Sequence, residues 1–282
     1  MTIPSILIED IVRAALKEDL GHGHDITSQS VIPRNANARA VFNAREEGVL
    51  AGLILALSSF SHIDSDFEFE ILAQDGDVLS AGDKIAIVTG PAAALLTAER
   101  VALNFMIHMS GIATLTRRYV LAVQGTHAKI TDTRKTLPFL RTVQKYAVRA
   151  GGGYNHRFGL DDCILIKDNH IAIAGGIDAV LNRARDNIGH TVKIEIEVDT
   201  LAQLEDVLKH GGADIVMLDN FMQDDLKTAV KMINGKIITE ASGGINLHTV
   251  RPIAETGVDY ISVGALTHSA SALDIGLDIE TD

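Results

Sequence analysis

One repeating pattern after residue 125 constrains the fold of this 282-residue chain more than any other feature. Short runs rich in Ile and Val alternate with helical stretches, and each run closes on a polar residue or a glycine. Successive closing residues lie 22 to 35 positions apart, which is the length of one strand, one helix and their loops. The runs occupy residues 129–131, 163–166, 192–198, 215–218, 237–238 and 260–263.

Alternating β and α units of this length predict parallel strands joined by right-handed crossovers. Six or more such units favour a (β/α) barrel, and a doubly wound open sheet is the alternative. The first strand is not followed by a G-x-G-x-x-G motif, which weakens the open-sheet alternative. We therefore expect an α/β fold with a barrel in the second part of the chain.

The first third of the chain has a different organisation. Apolar residues at positions 8, 11, 12, 15 and 16 repeat at helical spacing, whereas Phe67, Phe69 and Ile71 alternate with glutamates as on a half-buried strand. A second helical pattern begins at Pro91, and Gly111 is expected to interrupt it. These patterns predict a separate N-terminal α+β domain over residues 1–112, followed by the barrel over residues 113–269.

Composition excludes several classes of function. A net charge of −12 with 4% aromatic residues argues against a general nucleic-acid binder. Cys163 is the only cysteine, so an intramolecular disulfide is impossible. The most apolar run, residues 49–57, is too short to cross a bilayer, and the first residues lack the features of a signal peptide. We expect a cytoplasmic protein that binds neither nucleic acid nor membrane.

The residues that close the strand-like runs are the candidates for chemistry. In a parallel barrel the strand ends converge on one face, where active sites are built. Arginine presents a planar fork that matches carboxylates and phosphates, and lysine presents a point charge. Glu197 and Asp219 suit Mg²⁺ or sugar hydroxyls, with internal salt bridges as the alternative. Thr133 belongs to the same strand end as Arg134. The basic candidates are Arg134, Lys135, His156, Arg157 and Lys167.

Two small-residue loops close the last two strands. Glycines let backbone N–H groups approach an anion closely, and a helix expected from about Asn246 would point its N-terminus there. Loops after the final strands are a recurrent phosphate site in barrels. We infer a substrate that carries a phosphate and a carboxylate. The two loops are Ser242, Gly243, Gly244 and Val263, Gly264, Ala265.

Several of these segments together resemble one enzyme family. They are residues 131–136 (TDTRKT), 152–157 (GGYNHR), 165–170 (LIKDNH), 195–198 (EIEV), 217–220 (MLDN) and 242–245 (SGGI). In this order they strongly resemble the nicotinate-nucleotide pyrophosphorylase (carboxylating) family, also called quinolinate phosphoribosyltransferases. Residues 98–104 resemble the helix that precedes the barrel in that family. Phe139 departs from the pattern, because we expect glycine there.

The resemblance implies a fold and a reaction. The fold is an N-terminal α/β sandwich domain beside an open seven-stranded barrel, with residues 270–282 returning to the first domain. The reaction moves phosphoribose from phosphoribosyl pyrophosphate to the ring nitrogen of quinolinate. Pyrophosphate and CO₂ leave, and nicotinate mononucleotide is formed for NAD synthesis. Mg²⁺ accompanies phosphoribosyl pyrophosphate, and no organic cofactor is expected.

The resemblance also implies residue roles. The family members are dimers or larger, so Arg100 is expected to reach the site of the other subunit of a homodimer or higher oligomer. Lys135 would face phosphoribosyl pyrophosphate, and Glu197 and Asp219 would face its ribose hydroxyls and Mg²⁺. Arg134, His156, Arg157 and Lys167 would hold the quinolinate carboxylates. The catalytic set is Lys135, Lys167, Glu197 and Asp219, and the substrate-binding set adds Thr133, Ser242, Gly243, Gly244, Val263, Gly264 and Ala265.

Three other functions stay open at this point. A Schiff-base lyase would use Lys167 at its strand end, as barrel aldolases do. A related phosphoribosyltransferase would take another aromatic acid. A catalytically silent phosphate-binding protein would use the glycine loops alone.

Overall fold

The structure is a computed structural model that describes residues 3–280. Its strands are β1 (Asn37–Ala44), β2 (Gly48–Val49), β3 (Glu68–Ile71), β4 (Val78–Leu79), β5 (Lys84–Pro91), β6 (Lys129–Thr131), β7 (Ile164–Ile166), β8 (Ile194–Val198), β9 (Ile215–Asp219), β10 (Ile238–Ser242), β11 (Tyr260–Ser262) and β12 (Ile275–Glu280). Its helices are α1 (Glu9–Leu20), α2 (Ile26–Val31), α3 (Leu53–Ile63), α4 (Ala92–Ala122), α5 (Arg141–Ala150), α6 (Asp168–Ala174), α7 (Ile177–Asn187), α8 (Leu201–His210), α9 (Gln223–Ile233), α10 (Val250–Ala254) and α11 (Ala265–His268). Within residues 3–280, none of the helices has the length and apolar character needed to cross a membrane.

The chain divides into two compact units, and the first contains the antiparallel sheet. This N-terminal unit comprises residues 3–117, 136–152 and 266–280 of the described chain. Its four-stranded sheet has the order β12-β1-β5-β3, and all neighbouring strands are antiparallel. Phe42 of β1 and Phe67 both pack edge-on against Phe60 of α3, with ring centroids 6.0 and 5.4 Å apart. These three rings are part of the buried hydrophobic core of this unit.

Helix α4 corrects the prediction that Gly111 interrupts the second helical pattern. The helix runs through Gly111 without a break over 31 residues. A Cβ atom at Gly111 would lie 2.0 Å from the backbone oxygen of Ser271. Glycine is therefore needed here because another chain segment crosses the helix closely, and not because the helix ends.

The second unit, the barrel unit, comprises residues 118–135 and 153–265 and contains the parallel sheet. The strand order is β6-β11-β10-β9-β8-β7, and every ladder is parallel. At the β6 edge Tyr154 forms an isolated parallel bridge with Thr131, supported by a hydrogen bond from Tyr154 N to Ile130 O of 2.8 Å. The prediction of an open α/β barrel is confirmed, but among residues 3–280 its sheet has six strands, and an isolated bridge at Tyr154 stands where a seventh strand was predicted.

Two segments lie in a different unit from the one their sequence position suggests. The sequence prediction assigned residues 113–269 to the barrel, yet residues 136–152 and 266–269, besides residues 113–117 at the predicted boundary, belong to the N-terminal unit. Side chains of α5 explain this placement: Gln144 Nε2 donates to Thr267 O at 3.1 Å, and Tyr146 donates to Asp75 Oδ2 at 2.7 Å. Strand β12 pairs with β1, so the end of the described chain also completes the antiparallel sheet.

Candidate active site

A cavity of about 400 Å³ opens where the parallel strands of the barrel unit end. Lys167 directly follows β7, and Asp219 and Ser242 are the last residues of β9 and β10. The strand ends therefore converge as the sequence pattern predicts. The cavity is lined by Thr133, Arg134, Lys135, His156, Arg157, Leu165, Lys167, Glu197, Met217, Asp219, Glu240, Ser242 and Ser262.

Strand alternation explains which side chains line the cavity. Successive side chains of a strand point to opposite faces, so residues two apart share a face. Met217 and Asp219 of β9 both line the cavity, and so do Glu240 and Ser242 of β10. The residues between them, such as Leu218, are buried on the other face. Alternate residues of β9 and of β10 thus supply two side chains each to the site.

A buried aspartate joins two basic segments of the cavity wall. Asp132 is fully buried at the end of β6. Its carboxylate accepts hydrogen bonds from Asn155 Nδ2 at 2.7 Å and from the His156 backbone N–H at 2.8 Å. The loop that carries Arg134 begins directly after Asp132. Arg134 and His156 are therefore held on one side of the cavity by a residue that does not itself line it.

The guanidinium group of Arg157 donates one hydrogen bond to a backbone oxygen and has a further N–H without an acceptor in the part of the chain that the structure describes. Its Nη1 donates to the backbone oxygen of Cys163 at 3.0 Å. Its Nε is buried and has no hydrogen-bond partner among residues 3–280. A buried guanidinium nitrogen without an acceptor is costly, and an anionic ligand would satisfy it.

Two carboxylates face the basic wall. Glu197 of β8 accepts a hydrogen bond from Lys167 Nζ, so these two side chains form an ion pair at the cavity. Asp219 accepts a hydrogen bond from Asn220 Nδ2 at 2.6 Å. Both carboxylates lie at the ends of adjacent strands and offer oxygen atoms, which are the ligands that Mg²⁺ prefers.

The glycine after β10 is required by a close contact. Gly243 has a φ of +91°, and a Cβ atom there would lie 2.2 Å from Asn220 Oδ1. Asn220 itself has a φ of 55°, and its N–H donates to Ser242 O at 2.9 Å. The loops after β9 and β10 are thus packed against each other. The expected helix from Asn246 begins later, at Val250, because Asn246 Oδ1 accepts hydrogen bonds from the N–H groups of His248 and Thr249.

Some predicted site residues are not among those that line the cavity. Arg100 lies on α4 in the N-terminal unit, and its side chain is exposed. Val263 is buried and donates its N–H to Thr131 O at 2.9 Å, which places it within the sheet. The cavity lining also omits Gly243, Gly244, Gly264 and Ala265.

The structure adds two glutamates that sequence reasoning missed. Glu195 of β8 and Glu240 of β10 are both buried, and His156 Nε2 lies 3.0 Å from Glu195 Oε2 and 3.6 Å from Glu240 Oε1. Burial, reinforced by the charge of Glu195, raises the pKa of Glu240 to about 8. The signal for Glu195 was its position two residues before Glu197, which puts both on one face of the strand.

The fold and the cavity together define an α/β-barrel enzyme for anionic substrates. The chain belongs to the quinolinate phosphoribosyltransferase family. Residues 112–278 match the family model described as quinolinate phosphoribosyl transferase, C-terminal domain, and residues 25–110 match the model of the N-terminal domain. The resemblance inferred from the motifs is thereby confirmed.

Individual relatives agree with this assignment. The chain is 48% identical to a probable nicotinate-nucleotide pyrophosphorylase [carboxylating] of Bacillus subtilis, over 93% of this chain and 90% of the relative. It is 45% identical to the nicotinate-nucleotide pyrophosphorylase [carboxylating] of Mycobacterium leprae, over 96% of each. The crystal structure of NadC from Streptococcus pyogenes superposes with a TM-score of 0.95 at 40% identity and covers all of both chains.

Proposed function

We propose that the barrel cavity carries out the carboxylating phosphoribosyl transfer named for the relatives. In this reaction phosphoribosyl pyrophosphate gives its phosphoribose to the ring nitrogen of quinolinate, with loss of pyrophosphate and CO₂. The product is nicotinate mononucleotide, an intermediate of de novo NAD synthesis. The observation that carries the proposal is the convergence of five basic side chains and two carboxylates on one cavity. The basic side chains are Arg134, Lys135, His156, Arg157 and Lys167.

The basic side chains suit a dicarboxylate. Arg134, His156 and Arg157 come from two segments that Asp132 joins, and Lys167 comes from the end of β7. Each would pair with one of the two quinolinate carboxylates through charge-assisted hydrogen bonds. Lys135 would face the phosphates of the second substrate, with Thr133, Ser242 and the glycine loops completing its site. The loops would add Gly243, Gly244, Val263, Gly264 and Ala265.

The two carboxylates suit the ribose. Departure of pyrophosphate leaves positive charge on the anomeric carbon, so a negative side chain nearby stabilises the transition state. Glu197 and Asp219 lie on adjacent strands at the same cavity, and there they would serve this role. The new bond forms from the ring nitrogen to the anomeric carbon as the bond to pyrophosphate breaks. Because positioning and charge are sufficient, the site needs no covalent nucleophile.

Loss of CO₂ depends on the new bond between the ring nitrogen and the anomeric carbon. Once glycosylated, the ring nitrogen is positively charged and stabilises the electron pair that stays on the adjacent ring carbon when its carboxylate leaves as CO₂. The resulting ring carbanion then takes up one proton. The basic wall would hold the ring in place through both steps.

The donor set of the cavity fits Mg²⁺. Glu197 and Asp219 offer carboxylate oxygens, and the phosphates of phosphoribosyl pyrophosphate would supply others. When bound, Mg²⁺ neutralises negative charge on the leaving pyrophosphate. Lys167 would compete with Mg²⁺ for the carboxylate of Glu197, because the two side chains form an ion pair. Asp219 would therefore be the more available ligand.

The proposed assembly is a homodimer or larger, located in the cytoplasm. Arg100 is exposed on α4 and would reach the cavity of another subunit. A single cysteine is consistent with a reducing compartment. The substrates, and not nucleic acid or membrane, are the proposed partners.

Lys167 does not favour the Schiff-base alternative. Schiff-base formation needs a neutral amine, whereas the ion pair with Glu197 uses the charged ammonium. Borohydride trapping with a carbonyl substrate tests this point, and a covalent adduct at Lys167 would overturn the transferase assignment.

The deciding experiment incubates the protein with quinolinate, phosphoribosyl pyrophosphate and Mg²⁺ and monitors pyrophosphate and CO₂. We expect the two products in equal amounts. A parallel incubation with nicotinate should yield no pyrophosphate, since nicotinate lacks the second carboxylate. Turnover of nicotinate alone would indicate the related transferase, and no turnover of either acid would contradict the proposed function.

A further inference from the structure

Three titratable side chains from separate segments meet beside the cavity. His156 Nε2 contacts Glu195 Oε2 at 3.0 Å, and Glu240 Oε1 lies 3.6 Å from the same nitrogen. The contacting atoms all lie within 4.8 Å of one another. Glu195 and Glu240 come from β8 and β10, which flank β9, so the sheet itself brings them together.

Burial makes the charge of this cluster costly. Glu195 and Glu240 are 1% and 4% exposed. The Oε1 atom of each carboxyl lacks a hydrogen-bond partner in the described part of the chain. Two ionised carboxylates this close in a buried site repel each other strongly. The raised pKa of Glu240 follows from this arrangement and keeps its carboxyl largely neutral near pH 7.

The contacts also fix the His156 ring. A carboxylate can only accept hydrogen bonds, so His156 Nε2 carries a hydrogen and donates it to Glu195. The His156 backbone N–H is held in turn by Asp132 at 2.8 Å. Ring and backbone are therefore both anchored, while the side chain still lines the cavity.

We propose that Glu195 and Glu240 are positioning residues for the aromatic dicarboxylate: Glu195 orients the His156 ring, and Glu240 must be neutral for the dianion to bind beside it. This inference rests on the proposed binding of quinolinate at His156. Neither glutamate is needed as a contact to substrate. Their effect is transmitted through His156 and through the net charge of the cluster.

A pH dependence with a definite sign follows. Glu240 is faced by Glu195 from β8, by His156, by Asp132 at the end of β6 and by the hydroxyl of Ser262 on β11. When Glu240 loses its proton as the pH rises through about 8, the cluster gains one negative charge. That charge would repel a dianionic ligand bound in the cavity that Glu240 lines, so affinity should fall on the order of tenfold.

Calorimetric titration of the whole protein with quinolinate alone tests the proposal. From about pH 6.5 to about pH 9, we expect the wild-type Kd to rise on the order of tenfold. Glu240→Gln is permanently neutral, so its Kd should stay flat at the low-pH wild-type value. Glu205→Gln, the same change at an exposed position of α8, should keep the wild-type profile. Glu195→Gln should weaken binding roughly tenfold or more at every pH, and Glu195→Asp, which restores the charge, should recover part of it.

The outcomes separate this inference from the proposed function. A Glu240→Gln profile that still follows the wild-type pH dependence would overturn the role of Glu240. Unchanged affinity in a folded Glu195→Gln would overturn the role of Glu195. If Glu195→Gln does not fold, the Glu240→Gln profile decides alone. Wild-type protein that binds no quinolinate at any pH would contradict the proposed function instead.

Discussion

Lys167 and Glu197 form an ion pair across two neighbouring strands of the barrel, and both side chains line the cavity. The register of β7 and β8 pairs Ile166 with Ile196, so the next residues of each strand stand side by side. The pair thus follows from strand register alone. It brings into direct contact the cation proposed for the substrate carboxylate and the anion proposed for the ribose.

We predict that this ion pair matters for activity and little for stability. Lys167→Met should lower kcat/KM roughly 10- to 100-fold, the cost of a lost charge-assisted hydrogen bond to substrate. Because the Lys167 side chain is 45% exposed, its coupling to Glu197 in the free energy of unfolding should be below about 1 kcal/mol. A double-mutant cycle with Glu197→Gln measures that coupling, and a value of several kcal/mol would show a structural role instead.

Arg134 is predicted to contribute to quinolinate binding directly. It is half-buried at the cavity wall, so Arg134→Ala removes a charge-assisted hydrogen bond worth about 1.5–3 kcal/mol and should raise the quinolinate Kd at least tenfold. Arg13→Ala, at an exposed position of α1, is the matched control and should bind normally. Calorimetry with quinolinate measures both variants, and unchanged binding in Arg134→Ala would contradict its placement.

Arg100 tests whether the site is shared between subunits. Arg100→Ala and Arg157→Ala should each abolish most activity when assayed alone. If Arg100 acts in the other subunit, random exchange gives hybrid dimers with one intact site, and the mixture should recover about a quarter of wild-type activity. Demonstrated subunit exchange with no recovery would count against the shared site.

The strand ends could be predicted from sequence because a β/α repeat fixes where each strand stops. Lys167, Glu197 and Asp219 were found in this way, and the structure places all three at one cavity. Glu195 and Glu240 lie inside strands, where only the alternation of a folded sheet shows which face they occupy. Their partnership with His156 depends on the spatial order of β8, β9 and β10, which no local pattern encodes.

Helix α5 shows a second limit of sequence reasoning. It follows β6 directly, as a barrel helix would, yet it packs in the N-terminal unit. Two hydrogen bonds hold it there. The partner of Gln144 is more than 120 positions away in the chain, and the partner of Tyr146 is more than 70 positions away. Long-range partners of this kind leave no periodic signal in the sequence. Gly111 was misread for the same reason, because its close neighbour Ser271 is distant in the chain.

Phe139 should be replaceable by glycine with a gain in stability. Its φ of 64° is left-handed, which costs an L-residue about 1–2 kcal/mol, and its side chain is 95% exposed. After the added chain entropy of glycine, Phe139→Gly should raise the free energy of unfolding by about 0.5–1 kcal/mol. Chemical denaturation measures the change. Phe139→Ala is the control: it removes the ring but keeps the backbone strain, so an equal gain there would assign the effect to the exposed ring.

Asp214 connects the barrel unit's stability to pH. Burial opposes ionisation of Asp214, but the hydrogen bonds from the Ile194 N–H and from Lys193, together with the charge of Arg185, outweigh it and hold the pKa of Asp214 below its ordinary value. A carboxylate with a depressed pKa binds fewer protons in the folded state than in the unfolded state. Its contribution is therefore complete above the ordinary value of about 3.9 and is lost as the pH falls through the lower folded value.

Asp214→Asn should accordingly lower the free energy of unfolding by about 1–2 kcal/mol at neutral pH, since two ion pairs are lost but the amide oxygen can still accept from Ile194. The difference from wild type should stay constant from about pH 7 to about pH 5 and shrink below about pH 4. Urea unfolding across this range measures it. Asp186→Asn, at an exposed position of α7, should show no such gap. A gap for Asp214→Asn that persists unchanged in acid would mean that the asparagine is disfavoured by its packing and not by the lost charge.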